Sequence, residues 1–401
     1  MENIMTSIKN NTKEKRGFLN KEIKGYLEGK GAIGVGFATK ETMHSPEGIP
    51  SADITSILPE AESAICFAFP LDKKKIQAYL NKDLPNGRVD HNKDNFDTYI
   101  KIIKISEELK KTLEKKGYIA DIILPNFDYR GEGLRSTISQ KPYISLRYLA
   151  VRSGVGTFGW SGNVLMKGYG APILLGGVVT NAKLEPTDPI PESESVCNNC
   201  KLCTKVCAFR FMSDDEQITV TLGGQTFDYS KRKKIARCLM VCGGYSGLDK
   251  TGKWSTWCPE RHPYPETDDD VYKIFAKELE RSIRFHVRGE HEGFDRTQLD
   301  QDPVLKQIFS GKEQAARVFK FTNLSCGNCQ MICWGDPEQT AENYRMLVNS
   351  GCTIRDDEGY IEVRNCDEAK NYYEEKHPDI DQELTPKQKE YIKLIKESNE
   401  T

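Results

Sequence analysis

The stretch CNNCKLCTKVCAFRF, residues 197–211, places four cysteines at intervals of three, three and four residues, at Cys197, Cys200, Cys203 and Cys207. The 401-residue chain contains 13 cysteines in all. In a reducing compartment, clustered cysteines bind metal more often than they form disulfides. The spacing therefore favours a metal centre wrapped by this loop.

The run C-x2-C-x2-C-x3-C is typical of bacterial ferredoxins, where three cysteines bind one [4Fe-4S] cluster and the fourth binds a second cluster. Residues 197–207 match this run at every interval. A second run, CGNCQMIC (326–333), supplies Cys326, Cys329 and Cys333 as C-x2-C-x3-C. Two cubane clusters need about eight ligands in total, so one more ligand is required.

The remaining ligand is expected between the two runs, where KKIARCLMVC (233–242) has a helical pattern and offers Cys238 or Cys242. We favour Cys238. The ferredoxin crossing rule then gives one cluster Cys197, Cys200, Cys203 and Cys333, and gives the other Cys207, Cys238, Cys326 and Cys329. A zinc site or disulfides are the alternatives, although zinc prefers two separate C-x2-C pairs.

Residues 20–125 alternate helical and strand-like patterns, which predicts an α/β region. Apolar residues recur at three-and-four spacing in 96–117, a predicted helix, and the apolar runs 64–71 and 118–124 are predicted strands. Segment 181–196, rich in Pro, Ser and acids, indicates a boundary. The predicted domains are 1–190, the α/β region; 191–345, the cysteine-bearing region with an insertion at 209–325; and 346–401, a C-terminal tail.

Composition limits the class of protein. Hydrophobic residues make up 38% of the chain and charged residues 29%, without a run long enough to span a membrane, so we expect a soluble protein with no membrane partner. The N-terminus has neither an apolar export segment nor twin arginines, which favours the cytoplasm. The formal net charge is -2, so a nucleic acid is not expected as a partner.

Two short motifs resemble nucleotide-binding loops but lack the required context. GVGTFG (154–159) fits G-x-G-x-x-G, yet it follows a helical pattern rather than a strand. GLDKTGKW (247–254) carries Trp254 where a P-loop needs a Ser or Thr hydroxyl. Neither motif is expected to bind a nucleotide.

Three segments together resemble a known family: AVRSGVGTFGWSGNVL (150–165), YGAPILLGGVVTN (169–181) and CGNCQMICW (326–334). Over roughly residues 20–340 the chain resembles the epoxyqueuosine reductases and, more distantly, the reductive dehalogenases, a superfamily of reductases that use cobalamin and iron-sulfur clusters. The resemblance implies an α+β protein. It would have a nitroreductase-like α/β cobalamin-binding core, followed by a bacterial-type 2[4Fe-4S] ferredoxin domain with a long insertion.

The resemblance also implies a cobalamin site, because glycine lets the backbone approach a large flat ring. The residues expected to bind the cofactor are Gly154, Gly156, Gly159, Trp160, Gly162, Asn163, Gly170 and Gly176. The alternative is that these glycines serve tight turns. None of the six histidines lies in a D-x-H-x-x-G motif, so the resemblance implies base-off cobalamin, a state that favours reduction to cob(I)alamin.

In the epoxyqueuosine reductases, an aspartate that donates a proton lies some fourteen residues before the glycine that corresponds to Gly154. This chain has Gln140 at that position, and a glutamine side chain cannot donate that proton. The candidate replacements are Tyr143, Lys141, Asp128 and Tyr129. A tyrosine beside a cation is similar to the arrangement in reductive dehalogenases. The alternatives are a half-buried helix aromatic for Tyr143 and a turn before Gly131 for Asp128 and Tyr129.

The resulting hypothesis is a cytosolic reductase. A low-potential donor such as ferredoxin or flavodoxin passes electrons through two [4Fe-4S] clusters to cobalamin, and cob(I)alamin reduces a small organic substrate. One alternative is an iron-sulfur electron carrier for another corrinoid or redox protein. Another is a tRNA epoxyqueuosine reductase, which would need an acid in place of Gln140.

Overall fold

The computed structural model describes residues 2–126, 128–131, 139–242, 244, 246–258, 262, 264–286, 301–313, 315–316, 325–357, 361–376 and 383–400. The helices are α1 (Glu2–Gly29), α2 (Lys40–Met43), α3 (Lys73–Leu80), α4 (Gly87–Lys115), α5 (Leu146–Arg152), α6 (Leu202–Lys205), α7 (Ile235–Cys242), α8 (Asp268–His286), α9 (Pro303–Ile308), α10 (Asn328–Met331), α11 (Pro337–Val348), α12 (Cys366–Lys376) and α13 (Pro386–Glu400). The strands are β1 (Gly34–Thr39), β2 (Ser63–Pro70), β3 (Ala120–Ile123), β4 (Thr157–Phe158), β5 (Val164–Leu165), β6 (Ile173–Thr180), β7 (Met212–Leu222), β8 (Gln225–Arg232), β9 (Cys352–Arg355) and β10 (Ile361–Arg364).

A four-stranded antiparallel sheet in the order β1-β2-β6-β3 forms the N-terminal half. Strand β2 is buried on both faces, and its alternate side chains enter different cores. Ile65, Phe67 and Phe69 join the core that includes α3 and α4, while Ala64 and Cys66 join the core beside α5. Continuous burial explains why this strand has an uninterrupted apolar sequence.

The predicted helix at 96–117 is confirmed as the greater part of α4. Its buried residues include Phe96, Ile100 and Ile103, at the spacing of one helix face. The helix ends at Lys115, and Gly117 follows with a φ of 86°. The predicted strands 64–71 and 118–124 are likewise confirmed as β2 and β3.

The cysteine-bearing region shares its core with the sheet. Val206 and Phe209 from the first cysteine run, and Ile332 from the second, are buried in the same hydrophobic cluster as Phe67. The two runs are therefore fixed against the N-terminal half by apolar burial.

A β-hairpin within the insertion was not predicted. Strands β7 and β8 are joined by Gly223 and Gly224, both with positive φ, as a tight two-residue hairpin turn requires. Tyr229 of this hairpin packs on Phe158, with ring centroids 4.9 Å apart, and so covers the glycine-rich segment. No helix in the described residues is both long enough and apolar enough to cross a membrane.

Candidate iron-sulfur site

The four cysteines predicted for the first cluster line one pocket, together with Trp160. We call Cys197, Cys200, Cys203 and Cys333 the first set. Burial raises the pKa of Cys203, and the charges of Cys329, Cys333, Cys197 and Cys200 raise it further. The pocket therefore has the donor chemistry that a [4Fe-4S] cluster uses.

Local backbone geometry and hydrogen bonds hold the first set. Asn199 and Lys201 have φ values of 56° and 55°, which turn the loop between its cysteines. The backbone N–H of Trp160 donates to Sγ of Cys197 at 3.3 Å. Hydrogen bonds to sulfur stabilise thiolate ligands and tune iron-sulfur clusters.

Gly170 sets the position of Cys333. Its φ is 75°, and a Cβ there would lie 2.3 Å from the Cα of Trp334. The N–H of the next residue, Ala171, donates to the carbonyl of Cys333 at 2.8 Å. The segment YGAP is thus packed directly on the fourth cysteine of the first set.

The second set consists of Cys207, Cys326, Cys329 and the two helix cysteines Cys238 and Cys242. Burial raises the pKa of Cys207, and the thiolates of Cys326, Cys329 and Cys238 raise it further. The N–H of Phe211 donates to Sγ of Cys207 at 3.3 Å. Cysteines that are far apart in sequence therefore meet here.

Cys238 and Cys242 lie one turn apart on α7, with their sulfur atoms 3.9 Å apart. A hydrogen bond from Cys242 lowers the pKa of Cys326. Both helix cysteines are therefore near the second run, and the choice of Cys238 as the eighth ligand stays a prediction.

The guanidinium group of Arg232 acts on the second set, and that of Arg147 lies next to Arg232. Arg147 donates to the carbonyl of Gly162 at 2.6 Å, and Arg232 donates to the carbonyl of Ser161 at 2.8 Å. Burial and the charge of Arg232 lower the pKa of Arg147 to about 10. Burial raises the pKa of Cys329 to about 12, and the Arg232 charge opposes that rise. Nothing in the local sequence indicated this pair, because the two arginines come from α5 and β8.

Within the described ranges, no group of three or more His, Cys, Asp or Glu side chains is arranged to hold a single metal ion. The ligands of a [4Fe-4S] cluster do not need that arrangement, because each cysteine binds a different iron atom.

Some of the residues expected to contact cobalamin lie beside the cysteine sets, and others are packed on other parts of the protein. Trp160 and Asn163 bond to cysteine sulfurs, with Nδ2 of Asn163 at 3.6 Å from Sγ of Cys329. A Cβ at Gly154 would lie 2.3 Å from the Asp188 carbonyl oxygen, and one at Gly176 would lie 2.6 Å from the Phe67 ring.

The remaining glycines are equally close to protein atoms. A Cβ at Gly156 or Gly159 would lie 2.6 Å from Leu165, and one at Gly162 would lie 2.7 Å from Tyr229. On the side where a Cβ would stand, these glycines face protein rather than an open cradle for a corrin ring. The observed packing thus does not support the cobalamin assignment, which rests on the resemblance and stays a prediction.

The four proton-donor candidates are brought together by a short backbone bridge between Tyr129 and Pro142. The guanidinium group of Arg130 lies over the Tyr143 ring, 5.2 Å from the ring centroid, so Arg130 supplies a cation beside this tyrosine. Lys141 accepts a backbone hydrogen bond from Arg130 at 2.7 Å, and its side chain is exposed.

Asp128 and Tyr129 differ in their surroundings. Asp128 forms an ion pair with Lys312 at 3.0 Å, a partner that the sequence did not indicate. Burial raises the pKa of Tyr129, with smaller contributions from Tyr99 and from the Cys242 and Cys238 thiolates. Tyr129 is therefore the candidate that lies near a cysteine set.

No family model matches the chain. Among curated proteins, the chain is 26% identical over 132 residues to an epoxyqueuosine reductase of Lactococcus garvieae (strain Lg2), covering 29% of this chain and 35% of the relative. The matched region thus spans about a third of the length of that relative.

Solved structures give low overall similarity. An epoxyqueuosine reductase from Streptococcus thermophilus has 17% identity and a TM-score of 0.33, covering 51% of this chain and 55% of that one. A catabolic reductive dehalogenase has 14% identity and a TM-score of 0.40, covering 54% and 28%. An epoxyqueuosine reductase solved with an epoxyqueuosine-modified tRNA stem loop has 15% identity and a TM-score of 0.39, covering 96% and 99%.

These comparisons contradict the expectation that a nucleic acid is not a partner, because a protein similar to this chain has been solved with a tRNA stem loop. That expectation used the net charge of -2, which averages over the whole surface and does not describe a local patch. The resemblance to epoxyqueuosine reductases inferred from the sequence is confirmed by the curated relative.

Proposed function

We propose that the protein is an oxidoreductase that carries two [4Fe-4S] clusters and delivers their electrons to cobalamin for the reduction of an organic substrate. In this proposal a nitroreductase-like α/β core precedes a ferredoxin-type domain. The main support is the grouping of the cysteines. One set lines a single pocket, and the other gathers residues from three distant segments.

The chain's own residues would act on the clusters in two ways. The N–H groups of Trp160 and Phe211 donate to cysteine sulfurs at 3.3 Å, which favours the thiolate form that binds iron. The positive charge of Arg232 acts on Cys238 and Cys329 and would offset the negative charge of a bound cluster.

Tyr129 is the proposed proton donor. Burial keeps its hydroxyl protonated by raising its pKa, and the thiolates of Cys238 and Cys242 act in the same direction. Tyr143 is the runner-up because Arg130 stacks over its ring. Cobalamin, when bound, would supply the low-potential reductant. Of the residues that the resemblance suggests for its site, Trp160 and Asn163 lie beside cysteine sulfurs, and the glycines are packed on protein.

The test is a cobalamin titration of the protein prepared anaerobically, followed by cobalt analysis and a visible spectrum. We expect about one cobalamin per chain, in the base-off form, and cobalamin-dependent oxidation of a low-potential donor when substrate is added. Iron-sulfur clusters without cobalamin uptake would instead support the electron-carrier alternative.

A second candidate substrate is epoxyqueuosine in tRNA, which the curated relative's name favours. Gln140 cannot act as the acid, so this reaction would require another donor such as Tyr129. Nucleoside analysis of epoxyqueuosine-containing tRNA after incubation with the reduced protein tests this candidate. This candidate is supported if the unaltered protein converts epoxyqueuosine to queuosine and the Tyr129→Phe variant does not. It is excluded if the cobalamin-loaded protein gives no conversion.

A further inference from the structure

Two cysteines outside both sets lie side by side in the C-terminal part of the chain. Cys352 begins β9 and Cys366 begins α12, and their sulfur atoms are 3.3 Å apart. A disulfide bond is about 2.04 Å long, so the sulfurs need to approach by about 1.3 Å. Small side-chain rotations provide movements of that size.

The fold holds this pair together. Strands β9 and β10 form an antiparallel hairpin in which Cys352 is opposite Arg364, two residues before Cys366. Cys352, Ile354 and Ala369 form a small buried core, and Cys366 packs against it. The proximity of the two sulfurs therefore follows from strand register and core packing rather than from sequence spacing.

The two thiols differ in access to solvent. Cys352 is fully buried, whereas Cys366 is half-buried, beside exposed residues on either side. Reaction with an external disulfide requires an accessible thiol. The thiol of Cys366 contacts the Lys253 carbonyl but is the less buried of the two, so such a reagent reaches it before Cys352. Cys352 is then the neighbouring thiol in position to complete the exchange.

We propose that Cys352 and Cys366 form a reversible dithiol-disulfide site that reacts with small-molecule disulfides of the glutathione type. The Cys366 thiolate attacks one sulfur of glutathione disulfide, forms a mixed disulfide and releases one glutathione. The Cys352 thiolate then attacks Sγ of Cys366 and releases the second glutathione. The two cysteines lose two electrons and two protons in total, and glutathione disulfide gains them as two glutathione thiols.

This inference is independent of the iron-sulfur proposal. The test treats the full-length, anaerobically prepared protein with glutathione disulfide, blocks the remaining thiols with N-ethylmaleimide, and maps the cysteine peptides by mass spectrometry. We expect a peptide pair linked through Cys352 and Cys366, with no glutathione retained on either residue. Dithiothreitol should restore both free thiols.

Variants separate the two steps. In Cys352→Ser, glutathione should remain attached to Cys366, because no second thiol can displace it. In Cys66→Ala, a control at a buried cysteine of β2, the linked peptide should form as in the unaltered chain. Two results in the unaltered chain would overturn the proposal. One is recovery of Cys352 and Cys366 with N-ethylmaleimide attached after treatment with glutathione disulfide, and the other is glutathione retained on Cys366. Neither result depends on how a variant folds.

Discussion

The first and second cysteine sets differ in how the chain assembles them. The first takes Cys197, Cys200 and Cys203 from one short loop, and only Cys333 comes from elsewhere. The second set gathers cysteines from the end of that loop, from α7 and from the segment beginning at residue 326. Local spacing therefore specifies the first set, whereas long-range packing specifies the second.

The two sets also face different surroundings. The first set lines a pocket that includes the exposed residues Cys200 and Asn198. Near the second set, burial raises the pKa of Tyr99 to about 12, and the Cys242 thiolate adds to the rise. Under the proposed function, the exposed side of the first set is where an electron donor could approach a cluster.

The strongest test of this division removes one ligand from each set. Cys203→Ala should lose about four of about eight irons and leave the second cluster intact, because Cys203 is assigned as a ligand of the first cluster alone. Cys326→Ala should show the converse. Iron analysis and EPR spectra of the reduced variants measure this, with Cys66→Ala as a buried control outside both sets. Complete loss of iron in both variants would show that the sets do not form independent clusters.

A second test resolves the ligand on α7. Cys238→Ala should lose the second cluster's iron, about four atoms, while Cys242→Ala should retain it. The two thiols are only 3.9 Å apart, so either residue could be the ligand on distance alone. The reverse pattern would make Cys242 the ligand and correct our preference.

The backbone support of the first set is tested at Gly170. Gly170→Ala should lower the free energy of unfolding by about 2 to 5 kcal/mol and weaken retention of the first cluster, since its Cβ would overlap the backbone of Trp334. Gly168→Ala is the matched control, with a φ of 81° and no atom within 4 Å of its Cβ. It should cost only about 1 to 2 kcal/mol. Denaturant unfolding measures both, and equal losses would contradict a specific role for the contact at Gly170.

The smallest expected effect concerns the electrostatics of the second set. Arg232→Gln should lower the reduction potential of the second cluster by roughly 60 mV, a tenfold shift for one electron, because a nearby positive charge favours the reduced state. The potential of the first cluster should stay unchanged. Arg232→Lys keeps the positive charge, so the reduction potential of the second cluster should stay close to that of the unaltered protein. EPR-monitored redox titration is the measurement, and an equal shift in both clusters would contradict a local effect.

Much of the framework could be predicted from the sequence where the signal is local. The apolar run of β2, the periodic pattern of α4 and the spacing of Cys197 to Cys207 each correspond to a continuous segment. The β7-β8 hairpin also had a local signal, two adjacent glycines between alternating strands, but it lay inside an insertion that we interpreted by composition alone.

Contacts between distant segments could not be predicted. Arg147 and Arg232 come together only when the hairpin packs on α5, and Cys352 meets Cys366 only after β9 and β10 pair. The sequence also could not decide between Cys238 and Cys242 as the eighth ligand, because both lie on the helix that approaches the second run. Sequence spacing identifies ligands that lie within one loop, whereas contacts between distant segments depend on three-dimensional packing.

The most direct test of the central claim is the iron and acid-labile sulfide content of the anaerobically prepared chain, measured together with its EPR spectrum after reduction. Two separate cysteine sets predict about eight irons and about eight sulfides per chain, with the signals of two interacting [4Fe-4S] clusters. A content of about four irons, or zinc in place of iron, would contradict the assignment of both sets to clusters.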